Sequence, residues 1–207
     1  MPTAATPSTE PRRLRMSYEE FLAWAETRPE RWQYVEGRLV MMAGASDAHD
    51  FLTVNTILAL GKRLEGKPCR PHGSDRGVRI GGRNFYLPDA SVSCRRPDGT
   101  FSAEPVLVVE VLSLATERDD RGIKWRNYQT LTSLRHYLLL SQDEPLAELF
   151  SRGEQGWIYT RHEGLDAQIP LEALSIALPM RDLYLDVPFP EPAEAVAARP
   201  SPPAATP

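Results

Sequence analysis

The chain has 207 residues, of which 42% are hydrophobic and 25% charged, and its formal net charge is −4. This length suffices for one domain with a large core and is marginal for two, and the composition is that of an ordinary globular protein. The negative balance argues against a protein that coats nucleic acid, because such domains are basic overall, but it does not exclude a local basic groove. Almost all the basic residues are arginines, and the lysines are Lys62, Lys67 and Lys124.

The two cysteines, Cys69 and Cys94, have neither CxxC nor Cys/His spacing, which argues against a zinc ribbon and against a disulfide framework. The N-terminal residues lack the apolar segment of a signal peptide. No apolar run approaches the ~20 residues of a membrane span. We therefore expect a reducing, cytoplasmic location and no membrane association.

The two ends of the chain have compositions that cannot form a core. Residues 1–15 are rich in Pro, Thr, Ala and Arg, and residues 188–207 are rich in Pro, Ala and Glu. Both are predicted to be disordered. A single folded domain is expected between them, over residues 17–187.

The first predicted elements are a helix and a hairpin. Ser17 with Glu20 three residues later forms a capping-box pattern, and Pro29 ends the helix that follows. Residues 32–42 then alternate loosely around Glu36 and the glycine after it, which indicates two strands joined by a tight turn.

A longer helix is predicted from Ser46 or Asp47 to about Gly66. Its apolar residues form a broad stripe that should pack on a sheet: Phe51, Val54, Ile57, Leu58, Leu60 and Leu64. His49 falls in the first turn of this helix, where a lone histidine is more often a surface or capping residue than a functional one.

Residues 78–80 indicate a short strand, and residues 85–94 indicate another. Alternation along the second strand places Asp89 on one face together with two serines. Pro88 predicts an irregularity or bulge just before Asp89, because proline cannot donate a ladder hydrogen bond.

The segment 105–113 indicates a central strand, because its apolar run lacks the polar alternation of a half-exposed strand. Glu110 lies in the middle of this run. A buried, unpaired carboxylate would cost several kcal/mol or remain protonated. We therefore expect Glu110 to contact either a metal ion in a pocket or a basic side chain, with a structural arginine as the simpler alternative.

A further helix is predicted from about Thr116 to Leu131, and it places Lys124 and Tyr128 on one face. The simplest interpretation of Lys124 is an exposed partner of Asp120, one turn earlier. The rest of the domain indicates three strands, a closing segment and a last turn, at residues 135–141, 147–151, 156–160, 174–178 and 182–185.

The order of these elements suggests a chemical site. If the strands that carry Asp89 and Glu110 are neighbours, their carboxylates lie roughly 5 Å apart across the ladder. A hard divalent cation is held by oxygen ligands of this kind together with water. An amine from the next helix, on Lys124, could assist a water molecule or offset charge on a phosphate.

Several short motifs along the chain resemble one known family. The motifs are Glu36-Gly-Arg-Leu39, Ala43-Gly-Ala-Ser-x-x-His49, Ser74-Asp75, Leu87-Pro-Asp-Ala-Ser-Val92, Val108-Val-Glu-Val-Leu-Ser113 and Lys124-x-x-x-Tyr128. Together, in this order and over about residues 17–187, they are similar to the Uma2 family of the PD-(D/E)xK endonuclease superfamily. The resemblance implies an α/β (α+β) fold with a restriction-endonuclease-like core, a central mixed sheet flanked by helices, and hydrolysis of DNA phosphodiester bonds that depends on Mg²⁺, with Mn²⁺ as a substitute.

The resemblance also implies roles for individual residues. Asp89 and Glu110 match the metal-binding acidic positions, and Glu36 matches a further acidic position that could ligate metal through water. The superfamily pattern expects a lysine two residues after Glu110, where this chain has Leu112. In Uma2-like sequences the amine comes instead from the following helix, at the place of Lys124.

Further expectations concern His49, the oligomeric state and two alternative functions. His49 also matches a family position, as a catalytic candidate without an argued role. Nucleases of this kind often act as dimers, so a homodimer is an open alternative, although nothing in the sequence identifies an interface. A catalytically inactive nucleic-acid-binding relative with the same fold, and a glycosidase that uses Glu36 and Glu110, are the alternative functions.

Overall fold

The structure, a computed structural model, describes residues 16–42, 44–95, 101–102 and 104–189. The predicted disordered lead and most of the predicted tail lie outside the described residues. The elements in chain order are α1 (Tyr18–Ala25), β1 (Trp32–Val35), β2 (Arg38–Met41), α2 (Asp47–Arg63), β3 (Arg70–Gly73), β4 (Gly77–Ile80), β5 (Asn84–Tyr86), β6 (Ala90–Ser93), β7 (Phe101–Ser102), β8 (Leu107–Leu112), α3 (Glu117–Asp119), a π-helical turn (Asp120–Lys124), α4 (Trp125–Tyr128), β9 (His136–Ser141), β10 (Leu146–Arg152), β11 (Trp157–Glu163), β12 (Gln168–Leu171), a 3₁₀ turn (Glu172–Leu174), β13 (Ile176–Pro179) and α5 (Met180–Leu183).

A six-stranded mixed sheet forms the centre of the fold, with strand order β11-β10-β9-β8-β6-β3. Strand β8 pairs in parallel with β9 and antiparallel with β6. All six residues of β8 are buried, because helices and strands cover both faces of the sheet. The predicted central strand around Glu110 is therefore confirmed, as is the mixed sheet flanked by helices.

A second, five-stranded sheet has the order β2-β1-β5-β4-β7. The predicted hairpin of β1 and β2 is confirmed, and its turn places Glu36 at φ 47° and Gly37 at φ 83°. Two successive positive φ angles are the requirement of a type I′ turn. Helix α1 packs on this sheet and begins with the predicted capping box, in which Ser17 and Glu20 exchange side-chain-to-backbone hydrogen bonds.

Helix α2 crosses one face of the six-stranded sheet and begins at the predicted cap, Ser46, whose side chain accepts from the backbone N–H of His49. The prediction for its apolar stripe was wrong in part. The face against the sheet buries Leu52, Thr56, Ala59 and Leu60, whereas Phe51, Val54 and Leu58 are 41%, 46% and 65% exposed. The predicted stripe is too wide for one helix face, and of its members only Ile57, Leu60 and Leu64 pack in the core on this side of the sheet.

Residues 85–94 do not form the single strand that was predicted. Residues 84–86 pair in the five-stranded sheet, and residues 90–93 pair in the six-stranded sheet. Pro88 lies between the two strands, where the chain passes from one sheet to the other. The expected irregularity at this proline is thus a complete break, and Asp89 lies immediately before β6.

The helix predicted after Thr116 is also interrupted. Its middle is a π-helical turn over Asp120–Lys124, between short α-helical pieces. Such turns widen the helix locally and are frequent at functional sites. This turn directs Asp120 and Lys124 into the protein, where both are buried.

The two cysteines are paired with each other, although their spacing had argued against a disulfide framework. Arg70 of β3 lies opposite Ser93 of β6, so Cys69 and Cys94 are the next residues across this antiparallel pair. They form a disulfide bond with a sequence separation of 25 residues. This bond could not be predicted from the sequence, because the edge strand β3 contains Pro71 and was not predicted.

Candidate active site

The carboxylates of Asp89 and Glu110 lie on neighbouring strands at the centre of the large sheet. Ala90 pairs with Val109, so extending the register by one residue places Asp89 opposite Glu110. Asp89 directly precedes the first residue of β6, and its Oδ2 atom accepts a hydrogen bond of 2.7 Å from the backbone N–H of Val111. Both residues are buried, at 8% and 3% exposure. The predicted juxtaposition of the two acids is therefore present.

Lys124 reaches this pair from the helix, as the resemblance implied. Its Nζ atom lies 3.1 Å from Glu110 Oε1 and 2.6 Å from Asp120 Oδ1. Its side chain is 9% exposed. The simpler interpretation, an ammonium in solvent beside an exposed Asp120, is therefore wrong.

Asp120 is a member of the site that the sequence reasoning missed. Its exposure is 1%, and its Oδ2 atom has no hydrogen-bond partner among the described residues. Tyr137 of β9 donates to the Asp120 backbone oxygen at 3.0 Å and so contributes to the position of the π turn. The one available signal was the four-residue spacing between Asp120 and Lys124, which in a regular α-helix is typical of a surface pair.

A layer of tyrosines lies behind Glu110. The Tyr128 hydroxyl donates to Glu110 Oε1 at 3.3 Å, and its ring packs 5.3 Å from both Tyr86 and Tyr137. Asn127 donates to the Tyr86 hydroxyl at 2.6 Å. The predicted shared face of Lys124 and Tyr128 is therefore the face that contacts Glu110.

His49 approaches the site from the first turn of α2. Its Nε2 atom lies 3.3 Å from Asp89 Oδ2. Burial alone would lower the pKa of His49, but the adjacent Asp89 carboxylate outweighs it and raises the pKa. The imidazole thus helps to orient Asp89, which gives a physical role to a residue whose role the sequence left open.

Glu36 lies apart from these residues. It is exposed, on the hairpin turn, and its backbone N–H donates to Asn84 Oδ1 at 2.9 Å. Its neighbours in an open groove of about 620 Å³ include Tyr34, Asn84 and Asn127. Burial raises the pKa of Tyr86, and the carboxylates of Glu36 and Glu110 add to this effect. A role for Glu36 as a metal ligand stays a prediction.

The buried charges do not balance. Asp89, Glu110 and Asp120 contribute three carboxylates, against the ammonium of Lys124 and the imidazole of His49. Burial raises the pKa of Glu110 well above its ordinary value, and the neighbouring acids add to this effect while Lys124 opposes it. Burial would lower the pKa of Lys124, but Glu110 and Asp120 raise it, so Lys124 remains an ammonium.

This donor set fits a hard cation. Mg²⁺ is typically bound by one or two carboxylates plus water and substrate phosphates, and Asp89 and Glu110 provide two. The partnerless Oδ2 of Asp120 and the excess of buried carboxylates also favour positive charge here. Among the described residues, no three His, Cys, Asp or Glu side chains cluster closely enough to form a metal site on their own. Water or substrate would have to complete the ligand set.

The fold has a counterpart among solved structures. A crystal structure described as a "putative nuclease belonging to DUF820" from Anabaena variabilis matches with a TM-score of 0.67, covering 82% of this chain and 97% of that chain at 16% sequence identity. The architecture is accordingly that of a nuclease-like α/β protein.

The sequence comparison identifies the family. The model of the Uma2 family, described as "Putative restriction endonuclease", matches residues 18–181. The chain belongs to the Uma2 family, which confirms the resemblance drawn from its motifs. Among the residues that the structure describes, no helix has both the length and the apolar character needed to traverse a bilayer.

Two relatives come from Synechocystis sp. The uncharacterized protein slr1290 is 31% identical over 180 residues, covering 84% of this chain and 94% of the relative. The uncharacterized protein sll1609 is 27% identical over 164 residues, covering 76% of this chain and 93% of the relative. Both relatives align over nearly their whole length.

Proposed function

We propose that this protein is an endonuclease that hydrolyses phosphodiester bonds of DNA with Mg²⁺ as cofactor. The observation that carries the proposal is the convergence of Asp89, Glu110 and Lys124 in one buried cluster on a nuclease-like fold. Family membership supports a nuclease. The choice of DNA and of Mg²⁺ comes from the resemblance and from the chemistry of the site.

Each residue has a role that follows from its surroundings. Asp89 and Glu110 would hold the cation, and when bound it would polarise the phosphate and activate a water molecule for attack. Asp89 is held in orientation by the Val111 backbone N–H and by His49. Lys124 is held in its ammonium form, so it suits the stabilisation of negative charge on the phosphate better than proton abstraction.

An inactive nucleic-acid-binding relative is the main alternative. It is motivated by Leu112, which stands where the superfamily has its lysine. The ammonium of Lys124, 3.1 Å from Glu110, supplies the missing charge and favours an active enzyme. The glycosidase alternative is less favoured, because Glu36 is exposed on a turn whereas Glu110 is buried against Lys124.

A plasmid cleavage assay tests the proposal. Purified protein is incubated with supercoiled DNA in Mg²⁺, in Mn²⁺ and in chelator, beside Glu110→Gln and the control Asp119→Asn, which neutralises an exposed carboxylate near the site. We expect cleavage with metal by the wild type and by Asp119→Asn, and none by Glu110→Gln. DNA binding without cleavage under every condition would instead identify the inactive relative. Size-exclusion chromatography of the same samples would test the homodimer.

A further inference from the structure

The π-helical turn over Asp120–Lys124 gives Lys124 two carboxylate partners at once. Its Nζ atom lies 2.6 Å from Asp120 Oδ1 and 3.1 Å from Glu110 Oε1. A cation bound between Asp89 and Glu110 would compete with Lys124 for Glu110, since both need the same carboxylate. A lysine with Glu110 as its sole partner would then be left as an unpaired buried charge, which is strongly destabilising.

We propose that Asp120 is a positioning residue that anchors the Lys124 ammonium, so that Glu110 is free to bind a cation while Lys124 stays at the site. This inference rests on the proposed function, and it adds a residue that neither the family motifs quoted above nor the superfamily acids include. Asp120 is almost completely buried, on the same widened turn as the lysine.

Three features of Asp120 support this role. Its contact with Lys124 is the shorter of the two. Its backbone oxygen accepts from the Tyr137 hydroxyl at 3.0 Å, which ties the π turn to the sheet strand beside Glu110. Its Oδ2 atom has no hydrogen-bond partner among the described residues, so an acceptor remains for the ammonium if Lys124 shifts away from Glu110.

The anchor also explains the π turn. Asp120 and Lys124 are both buried, although the residues between them include the exposed Arg121. A surface pair at this spacing contributes very little to stability, so it does not account for the interruption of the helix. The π turn places both charged groups beside Glu110. This agrees with the frequent occurrence of π turns at functional sites.

The low lysine content allows a direct test that needs no cleavage activity. Protein labelled with ¹⁵N-lysine contains only the ammonium groups of Lys62, Lys67 and Lys124, and single substitutions by arginine assign the signals. Lys62 is exposed, whereas Lys67 donates to two backbone oxygens. We expect the Lys124 ammonium to exchange its protons with water more slowly than that of Lys62, and so to give a resolved NMR signal.

Variants of Glu110 and Asp120 then show which of the two carboxylates holds the Lys124 ammonium in place. Glu110→Gln and the exposed control Asp119→Asn should keep the Lys124 signal, whereas Asp120→Asn should broaden or remove it. Loss of the signal in Glu110→Gln with retention in Asp120→Asn would overturn the proposal. A Lys124 signal that exchanges as fast as that of Lys62 in the wild type, or that both substitutions affect equally, would overturn it as well.

The NMR test requires that the variants fold, and their folding is measured separately. If Asp120→Asn does not fold, the triple variant with Asp120→Asn, Lys124→Met and Glu110→Gln should fold, because it leaves neither an unpaired ammonium nor a Glu110 carboxylate without its partner. Continued failure to fold would overturn the proposal, since it would show that Asp120 has a structural role independent of Lys124.

If cleavage is observed, Asp120→Asn should lower kcat roughly tenfold to a hundredfold with little change in KM, as expected for a displaced charge. An unchanged kcat would contradict the positioning role, whereas absence of cleavage in the wild type would count against the proposed function alone.

Discussion

The Asp89 carboxylate accepts the hydrogen bond of the Val111 backbone N–H, in the place where a main-chain oxygen of a longer strand β6 would otherwise accept it. Strand β6 begins at Ala90, and the Asp89 side chain accepts the Val111 N–H at 2.7 Å. The same oxygen lies 3.3 Å from the His49 imidazole. Asp89 is thus fixed by the end of a strand and by the first turn of a helix.

The first prediction concerns cation binding. Titration calorimetry with Mn²⁺ should show binding by the wild type and a Kd at least about tenfold higher for Glu110→Gln, since the variant keeps the shape of the side chain but loses a ligand charge. Asp119→Asn, which removes an exposed charge, should bind like the wild type. Equal affinities in Glu110→Gln and the wild type would remove Glu110 from the metal site.

The second prediction concerns Lys124. Lys124→Met keeps most of the side-chain volume and deletes the ammonium, so cleavage should fall by roughly 10²–10⁴-fold, the range for a lost charge-stabilising group. The variant should also lose about 3–5 kcal/mol of unfolding free energy, because Glu110 and Asp120 lose a buried partner. An exposed Lys124 beside Asp120, the simplest interpretation of the sequence, would instead predict almost no loss of stability.

The matched control for this variant is Lys67→Met. The Lys67 ammonium donates to the backbone oxygens of Leu174 and Ser175, away from the acids. Rates should be compared at temperatures where every variant is folded by circular dichroism. Full cleavage by Lys124→Met, or an equal reduction in Lys67→Met, would end the assignment.

The two acids could be placed from the sequence because their positions depend on simple periodicities, whereas the place of Lys124 at the site was implied by the family resemblance. An apolar run with one acid predicts a buried strand, and adjacency of β6 and β8 brings Asp89 opposite Glu110. Asp120 escaped prediction because its position depends on a π turn, and no local propensity distinguishes that turn from an α-helix. The pairing of Cys69 with Cys94 depends on a long-range register that no local pattern contains.

The third prediction uses His136, a buried histidine on β9 that lies away from the acids of the site. Its Nε2 atom accepts from the backbone N–H of Ala173 at 3.2 Å, so that nitrogen is unprotonated, and Nδ1 donates to Ser151 Oγ at 3.0 Å. Burial lowers the pKa of His136. The unfolded chain therefore takes up the proton first as the pH falls below about 6.5, and the free energy of unfolding decreases through this range until the folded-state pKa is passed.

Urea denaturation measured at about pH 7.5 and about pH 5.5 checks this sign. The decrease in unfolding free energy should be larger for the wild type than for His136→Gln, which cannot titrate at this position. The other histidines contribute equally to both proteins, so the difference isolates His136. Equal decreases in the two proteins would contradict the lowered pKa.

The fourth prediction concerns the Tyr128 hydroxyl, which donates to Glu110 Oε1 at 3.3 Å from within the tyrosine layer. Tyr128→Phe keeps the ring between Tyr86 and Tyr137 and removes only this donor. Partners that orient a metal ligand typically contribute tenfold or more to affinity, so the Kd for Mn²⁺ should rise about tenfold. The unfolding free energy should fall by about 1 kcal/mol, the usual effect of losing one buried hydrogen bond.

Tyr137→Phe is the control, because it also removes a buried hydroxyl from the tyrosine layer. Its hydroxyl donates to the Asp120 backbone oxygen and not to Glu110, so its removal should cost a similar stability, about 1 kcal/mol, and leave the Mn²⁺ affinity unchanged. A rise in Kd confined to Tyr128→Phe would show that the hydroxyl acts through the Glu110 carboxylate. If both variants raised the Kd equally, the effect would belong to the packing of the tyrosine layer, and Tyr128 would have no specific part in orienting Glu110.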